Sequence, residues 1–201
     1  MSDAVQNPSI SEDIAFIRAL AVEGRKTPFR GEISLAAGLI WGSTSLFTWA
    51  VLEKLVGAPA NIGVAWGGAA VLFAVAGFPL GVYRSRHQTN RIVATVWAGV
   101  GLACWTIVAA TALAVWRTHQ EIIITIIPAM IMALYGAGWM AGAVAFRQPW
   151  QRWIGVACLL VGVLLGATAG RPEEYLIFAL ALYGLMGLPG LLAVMRPRSN
   201  A

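Results

Sequence analysis

The sequence predicts an all-α, polytopic membrane protein with six transmembrane helices preceded by a short cytoplasmic amphipathic helix. Three observations predict this class. The 201-residue chain is 59% hydrophobic and only 11% charged, about half the charged fraction of a soluble domain. Six apolar segments match the about 20 residues a helix needs to cross the hydrocarbon core. Lys and Arg gather on every second connection.

The chain divides into a polar N-terminal segment (1–32), a transmembrane domain (33–195) and a short tail (196–201). A cleaved secretory leader runs from a short basic region straight into an apolar one. Residues 1–32 instead carry Asp3, Glu12, Asp13, Glu23 and Glu32, so the first span reads as an uncleaved signal-anchor. Within this segment Ser9-Ile-Ser-Glu12 fits a capping box ahead of an apolar periodic run. Ile10, Ile14, Ile17 and Ala21 share one helical face, with Phe16 and Leu20 beside it. Glu12 and Asp13 suit the positive helix start, and Arg25 and Lys26 follow the end, near Gly24 and Pro28. A helix over about Ser11–Glu23 follows. Its apolar face suits either the membrane surface or a groove on a soluble partner. The polar face is mixed rather than Lys-rich. A cytoplasmic protein partner contacted by Ile14, Phe16, Ile17 and Leu20 is therefore the expected use.

The six spans cover about Ile33–Leu52, Ile62–Tyr83, Ile92–Trp116, Ile122–Phe146, Trp150–Gly170 and Tyr175–Met195. Short connections make successive helices antiparallel neighbours. Eleven basic residues fall on the side holding both termini, the second connection and the fourth, against three (Lys54, Arg117, Arg171) on the other. The positive-inside rule makes the richer side cytoplasmic, as for a bacterial inner-membrane protein. The net charge of +5 then meets anionic headgroups rather than nucleic acid. Trp49, Trp66 and Trp116 mark the outer boundary and Trp97, Trp150 and Trp153 the inner one. Trp41, Trp105 and Trp139 sit deeper and are expected to face other helices, where an indole N–H needs an acceptor.

Glycines recur four apart at Gly38/Gly42, Gly63/Gly67, Gly77/Gly81, Gly138/Gly142 and Gly162/Gly166/Gly170. Small residues on one face let helix backbones approach, which suits a compact bundle or a homo-oligomer. Similar short strings recur, such as Ala133-Leu-Tyr-Gly136 and Ala181-Leu-Tyr-Gly184. A three-hairpin repeat and chance within a restricted alphabet explain them equally well. Pro79, Pro128 and Pro189 lie in the even-numbered spans, where proline kinks or opens a helix.

Chemistry is sparse. None of the spans has an Asp, Glu or His away from its ends, which argues against ion-coupled transport. His87 and His119 both fall in connections, so facing histidines for a membrane haem are missing. Glu53, His119, Glu121, Glu173 and Glu174 share the outer side and would suit a divalent cation if they converged. Short loops also need polar residues at the water boundary, and no metal, cofactor or enzymatic activity is assigned. Ser43, Thr44, Ser45 and Thr48 cluster in the first span. Thr44, Ser45 and Thr48 are the candidates for a polar lining, although such hydroxyls usually bond back to their own helix. Cys104 and Cys158 read as small packing residues.

The layout of a short cytoplasmic helix plus six spans resembles bacterial membrane-embedded anti-sigma factors and related small regulators. The stretch Glu12-Asp-Ile-Ala-Phe-Ile-Arg-Ala-Leu-Ala-Val-Glu-Gly24 is also similar to the N-termini of uncharacterised six-span alphaproteobacterial proteins. The first resemblance implies a cytoplasmic segment that sequesters a transcription regulator while the spans anchor or sense. The expected function is an inner-membrane regulator or scaffold. A small-solute transporter or channel, and an accessory subunit of a larger membrane complex, are the alternatives.

Overall fold

The computed structural model describes residues 31–56, 61–85, 91–145 and 147–195, with side chains in the second helix through Ala76 and in the third from Thr95. The amphipathic segment carrying Ile14, Phe16, Ile17 and Leu20 lies outside the described residues, as does the tail after Met195. Every regular element described is helical: α1 (Glu32–Leu52), α2 (Ile62–Ser85), α3 (Arg91–Thr118), α4 (Ile127–Ala145), α5 (Trp150–Ala167), α6 (Pro172–Leu182) and α7 (Leu188–Met195). A 3₁₀ turn, Glu121–Ile126, leads into α4, and a π turn, Tyr183–Gly187, joins α6 to α7.

Five units are long and apolar enough to cross a membrane: α1, Thr95–Thr118 of α3, Glu121–Ala145, α5 and Pro172–Met195. In α2 the apolar stretch with described side chains is Ile62–Ala76, but its backbone continues helical for 24 residues. That is about 36 Å at 1.5 Å per residue, enough for a sixth crossing. The chain is an all-α, multi-pass membrane protein.

The helices pack in an order that differs from the sequence. α1 lies against α2 on one side and against α6, the π turn and α7 on the other. α4 packs on α5 and on α3, and α5 touches α6. Among the described residues α2 and α3 share no comparable interface, although they are consecutive. The core lies between the two tight pairs and holds Met132, Trp139, Cys158, Leu165, Phe178, Leu182 and Met186. α3 is the most exposed span, and Trp105 on it is half exposed. This corrects the expectation that Trp105 faces other helices.

Glycine allows both tight pairs to form. A Cβ on Gly38 would stand 2.6 Å from Gly187 Cα, and one on Gly31 would stand 2.6 Å from Gly190 Cα. The first helix and the last therefore touch backbone to backbone, running antiparallel with Gly31 beside Gly190. Across α4–α5, a Cβ on Gly155 would meet Met140 Cγ at 2.6 Å and Gly136 O at 2.9 Å. Where no hydrophobic force separates helix from lipid, such close approach supplies the dispersion energy of association. The four-residue spacing identified only some of these positions. Gly67 and Gly166 face open space.

The helix ends reverse through left-handed residues: Lys54 (φ 57°), His119 (φ 56°), Arg147 (φ 52°) and Gly170 (φ 84°). After α1, Leu55 N–H bonds to Ala50 O at 2.9 Å and Lys54 N–H to Val51 O at 3.0 Å. This closes carbonyls the helix end would otherwise leave open.

Pro128 and Pro189 each stand second in an α-helix that follows a turn of different pitch. Proline has no N–H to continue the ladder, and its ring clashes with the carbonyl four residues back. At Pro189 the chain relieves both by widening: Leu188 N–H bonds to Tyr183 O, five residues away. The proline effect is thus a change of helical pitch at each site.

Candidate functional site: the seam between the first and last spans

The polar side chains of the described spans concentrate where α1 meets α2 and the α6–π–α7 span. On α1, Ser34, Gly38, Gly42 and Ser45 repeat at three- and four-residue intervals and are all buried. One helical face therefore turns toward the last span. Ser34 Oγ donates to Met186 O at 2.8 Å, and Ser45 Oγ donates to Tyr175 O at 2.8 Å. Two serines about three helical turns apart on α1 so tie it to the backbone of the last span.

The three candidates for a polar lining are close together on α1. Thr44 Oγ1 donates to Ile40 O and Thr48 Oγ1 to Thr44 O, both at 2.9 Å. Thr48 also accepts the Trp66 indole N–H of α2 at 3.0 Å. With Ser45 on Tyr175, the donors of all three hydroxyls end on carbonyls. Trp66, expected at the outer boundary, lies over Trp41 with ring centroids 5.9 Å apart, and Phe73 adds a tilted ring at 5.7 Å.

Met186, inside the π turn, is the centre of the seam. Its carbonyl accepts Ser34 and its thioether accepts the Trp139 indole N–H at 3.2 Å. Trp139 is 1% exposed, so its N–H needs such an acceptor. Trp97 meets Trp139 edge-on at 5.4 Å. Trp97, partly buried, thus packs from α3 against the core. Tyr183 lays its ring on Gly42, where a Cβ would come within 2.9 Å of Cε1, and its hydroxyl reaches Ser43 Oγ at 2.9 Å.

At the other end of the last span, Glu174 is fully buried. It stands third in α6, and its Oε2 accepts Gly170 N–H at 2.9 Å, holding the left-handed turn against the helix start. Its Oε1 is buried with no partner among the described residues. The outer acidic residues do not converge. Among the described residues no three of His, Cys, Asp or Glu come together as a metal site would require. Cys104 is half-buried and Cys158 buried, both free.

Sequence reasoning missed Tyr183 and Met186, and it named Glu174 only as one of five outer-side groups, not as a buried carboxylate. Gly187-Leu-Pro189 inside an apolar span was the available signal for the first two, because a mid-span proline frees carbonyls one turn earlier. For Glu174, the signal was its place just after Pro172 at a helix start. Comparison with protein-family models, with characterised proteins and with solved structures finds no match to this chain.

Proposed function

We propose that this chain is a non-enzymatic regulator or scaffold of the bacterial inner membrane, with both termini in the cytoplasm. Its N-terminal helix would engage a cytoplasmic protein, and a transcription regulator is the partner class the anti-sigma-like layout favours. The observation that carries the reading is the use of the first span's hydroxyls. Ser34, Thr44, Ser45 and Thr48 all donate to carbonyls within the bundle, which suits an anchor held in one packing arrangement rather than the wall of an aqueous path. The antiparallel seam supports termini on a common side, since Gly31 and Gly190 are neighbours. The excess of basic residues on that side supports its being cytoplasmic.

The test is pull-down of the full-length protein from native membranes in mild detergent. Replacing Ile14 and Ile17 together with Asp should abolish partner recovery and leave membrane insertion unchanged. Recovery equal to wild type would overturn the docking role of this helix.

A further inference from the structure

We propose that two copies of this chain associate within the membrane through the outer face of the α1–α6/α7 seam, with Ser43 and Tyr183 at the centre of the contact. Ser43 Oγ and Tyr183 Oη lie 2.9 Å apart, and either can be the donor. Two O–H groups share one hydrogen bond, so whichever donates, the other keeps a proton with no acceptor among the described residues. Neighbouring hydroxyls differ: Ser34, Thr44, Ser45 and Thr48 each reach a carbonyl.

The pair lies deep and faces outward. Ser43 is near the middle of the 21-residue α1, and Tyr183 is near the middle of the 24-residue unit Pro172–Met195. Each is roughly 15 Å from either helix end. At that depth the surrounding lipid is hydrocarbon, because ester carbonyls stay at the interface of a core about 30 Å thick. A phospholipid therefore cannot accept the spare proton. Ser43 is exposed and shares its helical face with Leu39 and Leu46, which are 50% and 38% exposed. On the last span, Leu180 and Leu188 are 62% and 52% exposed. Gly184 lies between these two leucines, and a Cβ there would meet nothing within 4 Å.

A second copy supplies what lipid lacks. A two-fold axis along the membrane normal sets one Ser43–Tyr183 pair against the other. Each pair brings one unused donor and free oxygen lone pairs, so the contact is complementary to itself. The notch at Gly184 lets the partner's backbone approach between the leucines.

The test uses the full chain in native membranes. With Cys104 and Cys158 replaced by Ala, Gly184→Cys should form an oxidative dimer, whereas Val163→Cys, on the exposed face of α5, should stay monomeric. Single-molecule photobleaching of a tail-labelled protein in phosphatidylethanolamine/phosphatidylglycerol vesicles supplies the second measurement. Wild type should bleach in two steps. Tyr183→Phe should weaken association roughly tenfold through two lost interhelical bonds per dimer, and Gly184→Leu by more. Equal crosslinking at positions 163 and 184, single-step bleaching at all densities, or association unchanged in Tyr183→Phe would each overturn the proposal.

Discussion

Glycine brings backbones together at two places in this bundle, and the contacts differ in what stands opposite it. Across the first and last spans, the atoms nearest a Gly38 Cβ are all backbone, from Gly187 and Leu182. Across α4–α5, the nearest atom to a Gly155 Cβ is Met140 Cγ, part of a flexible side chain, with the backbone atoms Gly136 O at 2.9 Å and Met140 N at 3.2 Å behind it. Backbone cannot withdraw without moving a helix, whereas a methionine can change rotamer. The seam also carries serine bonds to carbonyls at both ends. The first contact is backbone throughout, and the second is in part a side chain that can repack.

Three sets of substitutions test and bound that contrast, taken from the largest expected effect down. Gly38→Leu should cost about 3 kcal/mol or prevent folding, while Gly155→Leu should cost less, about 2 kcal/mol, because Met140 can repack although Gly136 O cannot withdraw. Thermal unfolding in detergent measures both, and equal losses would erase the distinction between the two contacts. Ser34→Ala and Ser45→Ala should each cost about 0.6 kcal/mol, the mean for an interhelical bond in a membrane protein. Because the serines are about three turns apart, the double variant should show the sum. A shortfall would mean that one bond forms only with the other. The smallest effect lies outside both contacts. His119 holds a φ of 56°, so His119→Gly should gain about 0.5 kcal/mol by removing the Cβ penalty. A loss there would show that the imidazole contributes to the turn.

The spans were legible because the bilayer imposes one pattern, a long apolar run, that sequence displays directly. Neighbour relations were only partly legible. Gly38 and Gly42 show their spacing within one helix, but Gly187 and Gly190 acquire meaning only from the helix they meet. Gly155 and Gly136 are likewise partners from different spans. Trp105 and Trp139 lie at similar depth in adjacent spans, yet one is exposed and the other buried. Depth can be read from position along a span, but orientation cannot when almost every residue is apolar. The hydroxyls of α1 were identifiable as a cluster. Their acceptors were not, because Met186 O and Tyr175 O belong to the backbone of a helix some 130 to 150 residues away.

That distance along the chain bears on how the protein is made. Gly31, Gly38 and Gly42 meet their partners only after residues 183–190 have left the ribosome. Until then the first inserted helix must wait in lipid, or with whatever machinery shields it, with its grooved face uncovered. A prematurely terminated product would keep four or five well-inserted helices and lack the closing strut. Such a molecule would leave the small-residue face of its first span open to lipid.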